Sequence, residues 1–468
     1  MASPANKIPS KTPGLITDWR PEDPAFWEQT GHKVANRNLL ISVGALLLAF
    51  AIWMLYSVVI VSLPRAGFDF STNQLFWLAG IPSLSGATLR IFYSFAIPVF
   101  GGRRWTAIST ASLLVPAIWL GIAVQNPDTP YWQFAVIAFF CGLGGGNFSS
   151  SMSNISFFYP KAKQGFALGI NAGIGNLGVS VMQFLVPMVV TAAVFGPLGG
   201  KPETMADGSL LYLQNAGFIW APFLAVFVIA AWFGMNDLTA AQSSFKEQAV
   251  IFRRKHNWLM CWLYVGTFGS FIGYSAAFPM LIKTQFPNIN PTTYAFLGPL
   301  VGALTRSVGG WLSDRTGGAV LTFWVFVLMI ASVFGVIHFL PSTGGGGNFH
   351  GFLACFLALF VLSGIGNGST FRMIPVIFRT LHDRLAASAD AAGKKRAAHQ
   401  ASVESAMVVG FSGAIGAYGG FFIPKGFGSS IAATGSVNAA LYCFIAFYVS
   451  CVLITWWHYF RRSAQMPC

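Results

Sequence analysis

Acidic residues are scarce in this sequence. Its 468 residues include 14 Asp and Glu against 28 Lys and Arg, and all charged residues together make up 9%, where an ordinary soluble domain carries about 25%. Hydrophobic residues reach 54% and the mean hydropathy is +0.61. A water-soluble globule is excluded, and a polytopic membrane protein is indicated. Closely spaced cysteine pairs are absent as well. Cys141, Cys261, Cys355, Cys443, Cys451 and Cys468 are scattered without a CxxC, which excludes a disulfide framework or zinc cluster and leaves them as small core residues. No metal and no cofactor is expected. The first forty residues lack the charged start, short apolar stretch and small-residue cleavage site of a removable signal, so the first helix is expected to be retained.

Long apolar runs are abundant. A hydrocarbon core about 30 Å thick takes roughly 20 helical residues to cross. Apolar spans run near 39–63, 74–99, 105–125, 131–158, 166–195, 210–235, 257–283, 292–312, 319–340, 351–378, 402–424 and 437–460. They predict an all-α membrane protein of twelve transmembrane helices. Only 1–38, 236–256 and 379–401 are polar over any length, which leaves no room for a separate soluble domain. The chain divides into an N-terminal segment (1–38), a six-helix bundle (39–235), a linker (236–256), a second six-helix bundle (257–460) and a tail (461–468).

The net charge of +14 reflects topology and not a nucleic-acid partner. With the N-terminus placed in the cytoplasm, twenty-one Lys and Arg fall on that side and four (Arg65, Lys201, Lys283 and Lys425) on the other. This is the positive-inside bias, and it predicts that both termini are cytoplasmic. The remaining three, Arg90, Arg306 and Arg372, lie inside apolar spans.

Two of those three belong to an internal repeat. GATLR (86–90) and GALTR (302–306) align at an offset of 216, which lays Arg90 on Arg306 and the second helix on the eighth. CGLGGGNFSSS (141–151) answers SGIGNGSTFRM (363–373), and GINAGIGNLG (169–178) answers GFSGAIGAYG (410–419). Three pairs in the same order imply a duplicated six-helix unit, with pseudo-symmetric halves facing each other across a cavity. GWLSDRTG (310–317) fits the G-x-x-x-D-R-x-G loop signature of the major facilitator superfamily. The corresponding GGRRW (101–105) keeps the glycine and the bases but has no acid.

An ionisable group at the bilayer centre costs about 2.5–3.5 kcal/mol on insertion scales, so each one marks a candidate site. The fourteen acids fall in the N-terminal segment, in or next to loops, or, for Glu404, near the start of the eleventh helix; the seven histidines also lie in loops or at helix ends. Arg90 and Arg306 therefore lack protein counter-ions. Two facing guanidinium forks suit bidentate hydrogen bonds to a small planar oxyanion. Arg372, aligned with Ser150 and about six residues from its helix end, is expected to snorkel to the interface. A pathway without Asp, Glu or His favours exchange of anions over proton symport, with Glu404 as the remaining proton candidate.

GIGNLG (173–178) matches a dinucleotide fingerprint but lies in an apolar helix with no acid about 20 residues on, and that reading is rejected. Small residues at Gly169, Ala172, Gly175 and Gly178, with Gly173 beside them, and at Gly410, Gly413, Gly416 and Gly419 allow close helix packing and sliding between the halves. Asn176 breaks the repeat against Ala417 and is a candidate amide donor. Tyr264 and Phe268, one turn apart in the seventh helix, and Phe148 in the fourth are candidates to wall a flat anion.

The sequence resembles the nitrate/nitrite porters of the major facilitator superfamily, of the NarK type. The resemblance spans essentially the whole chain and rests on TDWRPEDPAFW (17–27), FGGRRW (100–105), GGGNFSSSMSNISFFYPKAKQG (144–165), AGIGNLG (172–178), TFGSFIGYSA (267–276), GNGSTFRMIPVIF (366–378) and SGAIGAYGGFFIPKGFG (412–428). Ala172 stands where the family's run commonly has another glycine. The resemblance implies two six-helix bundles that rock to give alternating access in a bacterial inner membrane. Its implied partners are nitrate, nitrite and membrane lipid, with no nucleic acid, and a monomer is expected. Arg90 and Arg306 would clamp the anion, Asn176 and Tyr264 would donate hydrogen bonds, and Phe148 and Phe268 would shape the pocket. Gly410, in the second glycine-rich segment (408–424; the first is 164–180), is expected among the substrate-binding residues. Exchange of nitrate for nitrite is the implied activity. The alternatives are a proton-coupled nitrate importer, an anion channel or a membrane sensor. No enzyme is expected, because no helix carries a carboxylate pair, a metal cluster or a nucleophile with a base.

Overall fold

Several helix starts follow directly from local chemistry. Ser71 and Gln74 exchange side-chain and backbone hydrogen bonds in a capping box, Asn348 accepts from Gly351 N, and Asp390 accepts from Gly393 N, each satisfying amides that a first turn leaves free. The computed structural model describes residues 14–205, 208–239, 249–341 and 346–468; residues 1–13 of the N-terminal segment and 240–248 of the linker lie outside the described residues. Among the described residues there are twelve long helices: α1 (Pro24–Ser62), α2 (Thr72–Tyr93), α3 (Gly102–Ala123), α4 (Tyr131–Phe158), α5 (Lys161–Val189), α6 (Asn215–Gly234), α7 (Lys255–Gln285), α8 (Leu297–Thr316), α9 (Gly318–Phe339), α10 (Phe349–Leu385), α11 (Ala391–Thr434) and α12 (Asn438–Phe460). Eleven are long and apolar enough to cross a membrane. The exception by composition is α8, which carries Arg306, Asp314 and Arg315 among glycines and hydroxyl residues.

Several boundaries differ from the sequence expectation, most of all the first: α1 begins at Pro24, inside the stretch expected as a polar N-terminal segment, not at 39. α2 ends at Tyr93, and a separate short helix, Ala96–Phe100, follows. Leu210–Leu211 do not begin α6; they pair antiparallel with Glu203–Thr204. Residues 379–401 are not a polar join but largely helix, with α10 running to Leu385 and α11 starting at Ala391. This stretch is rich in Ala, Lys and Arg, strong helix formers in water, whereas a search for apolar runs registers only the membrane-embedded part of each helix.

The repeat is visible in the packing. In the first half α2 and α4 cross so closely that a Cβ on Gly142 would strike Ser85 Oγ, and Ser85 Oγ donates to Phe139 O. In the second half, α8 and α10 cross in the same way at Gly364 and Gly302, and Thr305 Oγ1 donates to Val361 O. Small residues at such crossings let backbones approach where lipid supplies no hydrophobic drive.

One face of the molecule gathers both described ends of the chain. Leu15–Ile16 pair in parallel with Asp237–Leu238 at the start of the linker, Trp19 Nε1 donates to Phe157 O, and Glu22 accepts from Lys161 N at the head of α5. Cys468 O accepts from Ala319 N at the head of α9, and Arg384 donates to Gln465 O. Towards this linker face the halves diverge around a cavity of about 850 Å³. On the opposite face they are closed. There Gly80 and Gly420 bring α2 against α11 at Phe421 and Ser83, Gln183 Nε2 donates to Ser275 O, and Ser180 Oγ donates to Phe296 O.

The two kinds of glycine in α5 separate experimentally. A Cβ at Gly178 would strike Leu47 O in α1, whereas Gly173 has nothing within 4 Å. Gly178→Ala is expected to destabilise by about 1–3 kcal/mol through overpacking. Gly173→Ala should be neutral or up to about 1 kcal/mol stabilising through helix propensity. Thermal unfolding of the purified variants checks both.

Candidate functional site

At the inner end of the cavity lies Arg90, fully buried in α2. Its Nε donates to Gly145 O in α4 at 2.8 Å and its Nη1 to Gly413 O in α11 at 2.7 Å, so one guanidinium bonds both halves. Four rings surround it, with centroids 4.7 Å away for Phe148, 4.8 Å for Trp53, 5.1 Å for Phe268 and 6.0 Å for Phe50. A desolvated cation–π contact contributes about 0.5–2 kcal/mol. Four of them with two carbonyl acceptors are of the size needed to offset the ~3 kcal/mol cost of placing the charge there.

Arg306, half-buried in α8, stacks on Phe371 at 4.8 Å. Arg90 and Arg306 bear on one aromatic run, Arg90 over Phe268 and Arg306 over Phe371, with Tyr264 packed between those two rings. The Tyr264 ring stacks on Phe268 (5.3 Å) and packs against Phe371 (4.9 Å), and Phe268 stacks in turn on Phe148 (6.4 Å). Tyr264 and Arg306 lie within side-chain hydrogen-bonding reach of each other, and beyond that contact Arg90 Nη2, Arg306 Nη1 and Tyr264 Oη are buried with no hydrogen-bond partner among the described residues. Buried donors left bare are uncommon and costly, and three in one pocket leave hydrogen-bonding capacity for a small acceptor-rich guest.

The sequence-derived candidates are distributed unevenly. Arg90, Arg306, Tyr264, Phe148 and Phe268 come together in one cluster, of which Arg90 and Phe148 line the cavity. Asn176 is buried in α5 with its Oδ1 unpartnered, and makes no hydrogen bond to either arginine among the described residues. Gly410 borders the cavity with nothing within 4 Å, Gly413 supplies the carbonyl that holds Arg90, and Gly416 lies against Tyr264 and Phe268. Gly419 presses on Gly269, where the π-helical turn Val265–Gly269 of α7 meets the break in α11 at Tyr418. Gly175 packs on Leu46 and Gly178 on α1, while Gly169 and Gly173 meet no neighbour.

Sequence reasoning missed Phe50, Trp53 and Phe371. The first two had a signal: at an offset of 218 they align with Phe268 and Phe271. Trp53 is fixed by donating from Nε1 to Pro82 O and fits between Gly86 and Gly145.

Arg372, Glu404 and the basic residues of GGRRW have partners elsewhere. Arg372 does not simply reach for the interface; it pairs with Asp314 of the loop signature. Glu404 is buried at the cavity mouth, gripped by Arg254 through Nε and Nη2 at 2.9 and 2.8 Å, with His382 Nε2 3.2 Å away. The acid missing from GGRRW comes from beyond α6. Asp237 accepts from Arg103 N at 2.8 Å and Arg103 Nε at 3.3 Å, beside Gly101, whose φ of 83° and missing Cβ make the room.

Residues 41–393 match the Major Facilitator Superfamily. The chain is 54% identical to the nitrate/nitrite transporter NarU of Escherichia coli strain K12, covering 96% of this chain and 97% of that one. It is 40% identical to the probable nitrate/nitrite antiporter NarK2 of Thermus thermophilus, covering 97% and 98%. The chain belongs to the NarK-type porters of the Major Facilitator Superfamily. A solved bacterial homologue of the human lysosomal transporter Spinster shares the fold, with a TM-score of 0.58 at 13% identity over 89% of this chain and 95% of that one. This porter is thus a multi-pass transporter of the inner membrane, built as two six-helix bundles.

The borrowed acid offers a stability test within the porter fold. Arg103 and Asp237 have side chains only 9% and 8% exposed, so removing one charge strands the other. Asp237→Ala is expected to cost about 3–5 kcal/mol, read as a lowered unfolding temperature. Adding Arg103→Met should recover part of that loss.

Proposed function

We propose that this porter exchanges nitrate for nitrite across the inner membrane by alternating access, with the anion held between Arg90 and Arg306. The carrying observation is that these two cations bear on one aromatic run, Arg90 over Phe268 and Arg306 over Phe371 with Tyr264 packed between them, and that among the described residues no carboxylate is paired to either. Relatives named as a nitrate/nitrite transporter and a probable nitrate/nitrite antiporter supply the substrates.

The mechanism follows from electrostatics. Unit charges 4 Å apart at an effective dielectric of about 20 interact by ~4 kcal/mol, so an empty carrier resists bringing its arginines together. A bound monovalent oxyanion turns that repulsion into attraction, and the halves then close over it on the linker face and part on the other. Each half carries one arginine, so neither half binds the anion fully alone. Phe148 and Phe268 exclude water, which strengthens the charge pairing.

Exchange is favoured over proton-coupled import because, among the described residues, no carboxylate or histidine stands against Arg90 or Arg306, and the carboxylate that does line the cavity, Asp383, is an exposed side chain near the end of α10. Among the described residues the cavity's ionisable groups are Arg90 and, with Nε and Oδ2 3.9 Å apart, Arg379 and Asp383. Glu404 is already neutralised by Arg254.

Proteoliposome transport tests the reading. Labelled nitrate should enter vesicles preloaded with nitrite, saturably and regardless of an imposed proton gradient, and should not enter empty ones. Gradient-driven uptake into empty vesicles would replace exchange with proton coupling, and non-saturable flux would indicate a channel. Arg90→Lys and Arg306→Lys, which keep the charge but lose the fork, should each lower uptake by at least about tenfold, the equivalent of 1.4 kcal/mol. Arg372→Lys should retain most of it.

A further inference from the structure

The closed face holds a cation that the two-arginine pocket does not use. Lys425 in α11 sits half-buried at the seam with α2, its Nζ 4.6 Å from the centroid of Trp77 and 2.7 Å from Ser429 Oγ. Among the described residues it has no carboxylate partner. Trp77 also packs edge-on against Phe421, 5.5 Å away, so ring and ammonium belong to opposite halves of the transporter.

Comparison of the repeats shows that the seam needs no charge to close. The offset of 241 that lays Gly169 on Gly410 lays Phe184 on Lys425. Phe184 makes the matching seam, α5 against the residues leading into α8, by packing on Phe296 at 5.1 Å. One seam is aromatic on aromatic; the other has an ammonium in place of a phenyl ring. A charge placed where its repeat partner is apolar adds something other than packing.

We propose that Lys425 is a second anion-binding residue, an encounter site for small monovalent oxyanions on the face opposite the linker. In the closed seam its charge rests on the Trp77 ring and the Ser429 hydroxyl. When the halves part there, α2 carries Trp77 away, and the ammonium is exposed at the entrance. It lies twelve residues beyond Gly413, the residue that holds Arg90, or about 18 Å along α11 at 1.5 Å per residue. An anion entering from that face meets Lys425 first and then the arginine pocket. A single cation in a narrow, poorly screened entrance raises the local anion concentration, an effect that falls as ionic strength rises.

This inference rests on the transport reading above, and the test separates the two. Nitrate uptake from the face opposite the linker is measured in oriented vesicles at low and near-physiological ionic strength, for the wild type, Lys425→Met, Lys425→Gln and Lys425→Arg. The neutral variants are expected to raise KM several-fold at low ionic strength and to flatten its salt dependence, with the maximal rate kept. Lys425→Arg should preserve both. Neutral variants with wild-type KM and salt slope would overturn the encounter site. So would variants that change only the maximal rate, the mark of a mechanical latch. A wild-type protein that moves no nitrate would overturn the transport reading itself.

Discussion

The fully buried guanidinium of Arg90 is the constraint around which the rest of the structure is arranged. Its two carbonyl acceptors come from opposite halves, Gly145 and Gly413, so it is both the end of the cavity and a tie across the domain interface. Keeping that charge away from water requires rings close on several sides, and those rings require room. Gly86 and Gly145 leave it for Trp53, and Gly416 leaves it for Tyr264 and Phe268. The irregular turns of α7 and α11 touch at Gly269 and Gly419 beside the same pocket. Glycine-rich helices are thus part of the electrostatic design: they allow aromatic groups close enough to stabilise the cation without neutralising it.

Duplication supplies two arginines, and departures from duplication give the halves different tasks. Arg90 is sealed among four rings, while Arg306 lies over the Phe371 ring and is half-exposed. The loop signature is complete in the second half, where Asp314 holds Arg372. In the first half its acid comes from Asp237, across the bundle and itself part of the strand that fastens Leu15–Ile16. Each loop thereby ties together the linker-face ends of its own half, which lets each half move as a body. The closed face, by contrast, is held by side chains from both halves, such as Gln183 on Ser275 O.

Much of this was legible in the sequence because a membrane makes charge conspicuous. The composition, the twelve apolar spans and the offset of Arg90 on Arg306 led to two facing bundles with a pair of unpaired cations, and the structure brings Phe148, Tyr264 and Phe268 to them. Features that depend on non-local contacts were not legible. Asp237 lies 134 residues from Arg103, and nothing in GGRRW names its partner. Phe371 is one of 45 phenylalanines, distinguished only by the guanidinium that lands on it. The helical character of 379–401 was hidden because apolarity reports membrane burial, not helix. Gly169 shares the three-residue spacing of Gly178 but not its contact, since nine residues at 3.6 per turn put the two on opposite faces of the helix.

The central claim, that a bound anion is what allows the two halves to close, is tested most directly by a distance across the cavity mouth. Spin labels at Gln164 in α5 and Ala398 in α11, residues that line the mouth from opposite halves, in a chain with its six cysteines replaced, report that separation by pulsed electron resonance. Addition of nitrate is expected to shift the distribution to shorter distances, and Arg306→Lys to abolish the shift. A distribution that is equally short without any anion, or that nitrate leaves unchanged in a transport-competent protein, would contradict the account.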